Sequence, residues 1–326
     1  MRFSIIIPVY NRPQEVDELL ESLCTQTFND FEVIVVEDGS SEKCDSVCEK
    51  YADKLDLHYY FKPNSGPGPS RNYGAKRSQS EYLIILDSDV IVPEHYLEII
   101  QNELENHPCD AFGGPDEAHP SFTPIQKAIN YSMTSFFTTG GIRGGKKKMD
   151  KFYPRSFNLG IRKDVYEALG GFAPMRYGED IDLSTRIFKG GYSCRLFPDA
   201  FVYHKRRVKF SSFFRQVKHS GEARVELKKK YPDTFKLVHL LPAVFVLGNL
   251  LLVLLGLFHH WLWFTPILLY CLVVFVDSLL KNKSLKVAAL SVPAAYCQLF
   301  GYGTGFLSAA WRDILSKKYP LQKENP

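Results

Sequence analysis

Two carboxylates one residue apart, Asp87 and Asp89 of Asp87-Ser88-Asp89, follow the apolar run Tyr82-Leu83-Ile84-Ile85-Leu86. Such a run reads as a buried strand of a parallel sheet. Its C-terminal end is the edge at which open α/β sheets bind ligands. Oxygen donors placed there suit a hard divalent cation holding a diphosphate. The plainer alternative is a turn, with Asp87 or Asp89 capping a helix that starts near Pro93. A second acidic pair, Glu179-Asp180, follows Gly178 and precedes a helical pattern. Carboxylates at a helix N-terminus complement its dipole, or serve as a general base. Asp182 and Arg186, four apart, read as a pair on the helix surface.

The elements that must position these groups alternate. Phe3–Val9 is a strand followed by Tyr10-Asn11-Arg12-Pro13. Val16, Leu19, Leu20 and Leu23 then mark a helix over Glu15–Thr25. Phe31–Glu37 is a strand ending in Asp38-Gly39-Ser40, a helix runs through Lys50, and a third strand lies near Leu57–Phe61. The loop Asn64–Pro69 leads to a helix over Ser70–Arg77, whose first backbone N–H groups, with Arg71, would face an anion. This alternation implies right-handed βαβ units in a doubly wound, mainly parallel sheet. The polar residues after each strand then converge on one crevice and favour a nucleotide site. The 7 cysteines show no metal-like spacing; Cys44 and Cys48, on one helix face, read as reduced bystanders.

Ser4–Arg12, Val35–Ser40, Ser70–Ala75 and Leu86–Asp89, in this order, resemble the family 2 glycosyltransferases of GT-A fold. The resemblance continues through Asn158–Arg162, Leu169–Phe172 and Gly178–Leu183, and so covers nearly all of the first two thirds. It implies an inverting transfer from a nucleoside diphosphate sugar, with Pro8, Tyr10, Asn11, Arg12, Asp38, Arg71, Asp87 and Ser88 at the donor. It also implies a Mn or Mg ion held by Asp89 and Asp87, Asp180 as the base and Glu179 beside it. His204, after the strand-like Ala200–Tyr203, either completes the shell of the metal or diphosphate or is a plain core or surface histidine. Glu37 departs from the second aspartate that many members carry.

From Leu237 the chain turns apolar. Leu237–Phe258 and Trp261–Leu280 each approach the roughly 20 residues that span a bilayer. With His259-His260 between them they read as a helical hairpin. Val287–Trp311, interrupted by Pro293, Gly301, Gly303 and Gly305, reads as a third span or a re-entrant pair of half-helices. Lys and Arg crowd residues 205–230, and Lys281, Lys283 and Lys286 follow the second span, so both flanks are expected in the cytoplasm. The opening apolar run is too short and too soon broken for a cleavable signal peptide. The basic stretch with Phe210, Phe213 and Phe214 fits a helix on an anionic membrane face, which disfavours nucleic acid as its partner. Thr138–Lys151 reads as a basic loop.

The expected organisation is a donor-binding half (1–110), an acceptor-binding half (111–210), an interfacial helix (211–234), a membrane region (235–311) and a tail (312–326). The expected protein is a multi-pass inner-membrane glycosyltransferase with a cytoplasmic catalytic domain. Its acceptor is lipid-linked or a membrane-proximal glycan, in surface polysaccharide or glycolipid assembly, and membrane lipids are further partners. A processive synthase is disfavoured, because no Gln-x-x-Arg-Trp follows Asp180 and the spans are few. A non-catalytic scaffold retaining the fold is disfavoured by intact Asp38, Asp87, Asp89 and Asp180.

Overall fold

The computed structural model describes residues 1–139, 153–175 and 177–318. The chain divides into two compact units, Met1–Pro120 with Gly144–Lys205 and Ser121–Arg143 with Arg206–Pro326.

The first unit opens with β1 (Phe3–Val9), α1 (Pro13–Cys24), β2 (Phe31–Asp38), α2 (Asp45–Glu49), β3 (Leu57–Lys62), α3 (Pro67–Ala75) and β4 (Tyr82–Leu86). It continues with β5 (Val90–Ile91), α4 (Tyr96–Asn106), β6 (Ala111–Gly113) and β7 (Asp116–Glu117). Helices α5 (Pro124–Thr134) and α6 (Phe136–Thr139) belong to the second unit. The first unit closes with β8 (Asn158–Arg162), α7 (Lys163–Ala168), α8 (Glu179–Lys189), β9 (Cys194–Leu196) and β10 (Val202–His204).

Its main sheet has the order β3-β2-β1-β4-β8-β6-β9. Strand β8 runs antiparallel to both neighbours, and the other pairs are parallel. The doubly wound, mainly parallel reading therefore holds. Strands β1, β2 and β4 are buried almost throughout, because helices cover both faces of such a sheet. Helix α1 buries Val16, Leu19, Leu20 and Leu23, the residues its spacing singled out. The parallel strands β1 and β4 mark the point where the strand order reverses, so the loops after them flank the crevice where ligands bind. Gly160 on β8 allows the Phe112 ring to lie flat on the sheet: a Cβ there would stand 1.9 Å from Phe112 Cζ.

Three details differ from expectation. Helix α3 begins at Pro67, after Gly66 at φ +94°, and the Ser70 N–H already donates to Gly66 O at 3.2 Å. Pro67 and Pro69 lack N–H groups, so the first turn offers an anion less than a start at Ser70 would. Helix α4 begins at Tyr96, not near Pro93, because β5 intervenes. A small second sheet, β5-β10-β7, sets His204 opposite Val90. Strand β10 falls on the stretch that reads as strand-like, Ala200–Tyr203, whereas β5 and β7, two residues each, carry no readable periodicity.

The second unit holds α5, α6, α9 (Phe210–Lys230), α10 (Leu241–Phe258), α11 (Thr265–Asn282) and α12 (Leu285–Lys318). Thr123 and Gln126 form a capping box at the start of α5. The basic helix α9 buries Phe213, Val217, Gly221 and Leu227. It packs closely on α12: a Cβ on Gly221 would lie 2.2 Å from Tyr302 O, and one on Gly305 would lie 2.1 Å from Lys218 O. Glycines at such crossings let two helix backbones approach. Those that looked like interruptions of an apolar segment are its contact surface. The segment is one continuous helix with Pro293 inside it, so the re-entrant pair of half-helices is not what forms.

Leu237–Phe258 and Trp261–Asn282, 22 residues each, are long and apolar enough to cross a membrane. Only 17% and 11% of their most apolar windows is buried, whereas a soluble core helix would be mostly buried. Leu247, Leu250, Leu254, Leu268 and Leu272 are all exposed. The basic stretch Thr138–Lys151 lies, beyond Thr139, outside the described residues.

Candidate active site

Asp87 is the first residue after β4, Asp89 precedes β5, and His204 ends β10. One potential ligand atom from each lies within 4.8 Å of the other two. Asp89 Oδ1 stands 3.2 Å from His204 Nε2, and its other oxygen pairs with Arg12 Nη1 from the loop after β1. His204 Nδ1 lies 3.7 Å from Asp116 Oδ2, and the imidazole packs on Phe157 with ring centroids 4.9 Å apart. Burial pushes the Asp89 carboxyl up, but the charges and hydrogen bonds of His204 and Arg12 outweigh it and hold it well below the ordinary range. For Arg12 burial works downward, but the charge and hydrogen bond of Asp89, with the charges of Glu15 and Asp87, together outweigh it and raise the guanidinium. Two ligands of one small cation, each about 2.1 Å from it, stand at most about 4.2 Å apart. The observed cluster needs only a small contraction to hold one. Two carboxylates and an imidazole suit Mn²⁺, and the carboxylates also suit Mg²⁺.

A buried arginine connects this cluster to the second acidic pair. Arg71, on α3, donates from Nη2 to Asp87 Oδ1 at 2.7 Å and from Nη1 to Glu179 Oε1 at 2.9 Å. Its guanidinium carbon lies 4.9 Å from the Phe172 ring centroid. Asn72 next to it accepts from Phe172 N at 2.8 Å and donates to Phe172 O at 2.9 Å, fixing the turn that carries the ring. Burial raises the Glu179 carboxyl, with Arg71 opposing and the Asp180 charge adding, and the net shift is upward. Asp180 is otherwise placed: it pairs with Arg155 Nη1 at 3.2 Å and accepts from Ile181 N at 2.8 Å. Gly178, at φ +81°, makes the left-handed turn that starts α8 at this pair.

The Asp38 carboxylate closes the loop after β3. It accepts from Ser65 N at 2.9 Å and Gly66 N at 2.8 Å, and it pairs with Lys62. Asn11, at φ +53°, accepts from Ser41 N and Glu42 N at 2.8 and 3.0 Å, tying the loop after β1 to the loop after β2. Glu37 is fully buried and accepts from Cys44 N at 2.8 Å and from Ser40 Oγ. Both oxygens of the glutamate are thus used to brace this loop. Pro8 lies within β1, Tyr10 is exposed and Ser88 is buried.

Of the residues expected at the site, Asp87, Asp89, His204 and Arg12 form one cluster, and Arg71 joins it to Glu179. Asp38 and Asn11 brace the loops beside it. Lys62 and Arg155 were not singled out in the sequence, and Phe172 only as part of the segment Leu169–Phe172, without a role at the site. Lys62 follows a strand as the acidic residues do, a signal available in principle. Arg155 and Phe172 stand in irregular segments, where only the fold brings them to Asp180 and Arg71.

A mainly parallel sheet with paired acids at its switch point and a second acidic pair on a later helix defines a glycosyltransferase of GT-A fold. Residues 4–170 match the family described as Glycosyl transferase family 2, and the chain belongs to that family. It is 27% identical over 220 residues to the minor teichoic acid biosynthesis protein GgaB of Bacillus subtilis, covering 66% of this chain and 24% of that one. It is 40% identical over 198 residues to the uncharacterized glycosyltransferase RT0329 of Rickettsia typhi, covering 57% of this chain and 58% of the relative. The chain thus spans less than two thirds of either relative. Among solved structures, the mannosyltransferase PcManGT of Pyrobaculum calidifontis, in complex with GDP-Man and Mn²⁺, has a TM-score of 0.64 at 17% identity, over 92% of this chain and 87% of that one. At that identity the likeness establishes the fold.

Proposed function

We propose that the chain moves one sugar from a nucleoside diphosphate sugar to a hydroxyl of a lipid-linked or membrane-proximal glycan, with inversion at the transferred carbon. The observation that carries this reading is the gathering of Asp87, Asp89 and His204 at the switch-point edge of the sheet. A divalent cation held by these three would neutralise charge on the departing diphosphate. Asp38 and the loops braced by Asn11 border the nucleoside, with Tyr10 free to cover it. Asp180 accepts the acceptor's proton: both carboxylates have an arginine partner, but the Asp180 side chain is the more exposed, 18% against 11% for Glu179.

Both apolar helices and the flanking basic residues support a hairpin anchor in the inner membrane, with the catalytic unit on the cytoplasmic side. That placement suits an acceptor carried on lipid and a role in surface polysaccharide or glycolipid assembly, a setting to which GgaB's name also points. The reading is tested by a screen of nucleotide sugars with membrane extract as acceptor, reading nucleoside diphosphate release. One donor is expected to be consumed in an acceptor-dependent way. Release from none, with folded protein confirmed, would contradict it.

A further inference from the structure

Among the described residues of the first unit, Arg71 is the one buried lysine or arginine. It is 3% exposed, and its side chain touches two carboxylates that come from opposite ends of the catalytic sequence, Asp87 after β4 and Glu179 at the start of α8. Its Nε–H is buried and has no partner among the described residues. The guanidinium thus accepts the cost of an unsatisfied donor while both of its forks are spent on carboxylates. A lysine has one ammonium and no fork, so it cannot reproduce both contacts at this spacing.

We infer that Arg71 is a positioning residue that couples the cation cluster to the acceptor-side helix, orienting Asp87 through one fork and Glu179 through the other. This rests on the proposed reading of Asp87, Asp89 and His204 as a cation site. Arg71 holds Oδ1 of Asp87 and so restricts the orientations open to that carboxylate. Groups that orient a metal ligand from behind typically set affinity by about 10–100-fold. Glu179 is out of the cluster, yet it fixes where the guanidinium lies, and Phe172 limits the guanidinium from its face. Changes at Glu179 are therefore felt at the cation through Arg71, in addition to the direct loss of the Glu179 charge. An arginine that only fills its cavity would transmit nothing.

The test is a double-mutant cycle read as Mn²⁺ affinity of the full chain, from loss of the free-ion electron paramagnetic resonance signal. No sugar donor or transfer is needed. Arg71→Gln is expected to weaken Mn²⁺ binding about 10–100-fold. Glu179→Gln, which alters no ligand, is expected to weaken it several-fold in the parent and clearly less in the Arg71→Gln background, where only the direct loss of its charge remains. Arg71→Lys, which keeps the charge but loses the fork, takes the place of Arg71→Gln in the cycle if the latter does not fold. An unchanged affinity in Glu179→Gln alone overturns the coupling, as do effects of the two substitutions that simply add. Failure of the parent to bind Mn²⁺ overturns the cation reading itself and this inference with it, an outcome distinct from the other two.

Discussion

Arg186 donates from Nε and Nη2 to one oxygen of Asp182, at 2.9 and 2.7 Å, and Asp182 is fully buried. The same guanidinium reaches Leu169 O at 2.5 Å and Gly171 O at 2.7 Å. The pair that reads as a surface salt bridge is a rivet between α8 and the turn carrying Phe172. It ties α8, whose N-terminus presents the proposed base, to that turn.

Removing one partner of a buried pair leaves an uncompensated charge and costs about 3–5 kcal/mol, far more than an exposed pair. Arg186→Ala is therefore expected to lower stability by about that amount in chemical denaturation of the full chain in detergent. A loss below about 0.5 kcal/mol, the size for an exposed helix pair, would return Asp182 and Arg186 to the surface.

What could be read from the residues alone follows from how local each signal is. Strands β1, β2 and β4 are built on apolar runs, β3 carries Tyr59, Tyr60 and Phe61, and α1 has a clean 3.6-residue stripe, so their places were legible. Asp87 and Asp89 were legible because carboxylates after an apolar strand have no packing reason to be there. The partner of Asp87 was not: Arg71 looked like an anion ligand at a helix start, and only the true start at Pro67 and the approach of α8 show it committed to two carboxylates. Asp182 was misread for a similar reason, since spacing gives the pair but not what packs over it. The continuity of α12 was hidden because glycine and proline weaken a helix in isolation, whereas close packing on α9 compensates here.

The membrane reading makes a topological prediction. A reporter fused at His259 is expected to map to the far side of the membrane, and one at Lys283 to the cytoplasm, where Lys281 and Lys286 also lie. A cytoplasmic signal at both positions would contradict a spanning hairpin.

Asp180 and Glu179 are separable by substitution. Loss of a positioned base costs about 10²–10⁴-fold in rate. Asp180→Asn keeps the shape and is expected to lose transfer on that scale while nucleoside diphosphate affinity changes little, read by calorimetry beside turnover. A parallel loss of affinity and turnover would move Asp180 to the donor side.

The central claim is that Asp87, Asp89 and His204 hold a divalent cation against the diphosphate of a sugar donor. Nucleoside diphosphate release with membrane extract as acceptor, measured during chelator titration and metal restoration, tests it most directly. Release is expected to vanish in chelator, to return with Mn²⁺ or Mg²⁺, and to stay absent in folded Asp89→Ala under either ion. Undiminished release in chelator, or from Asp89→Ala, would contradict it.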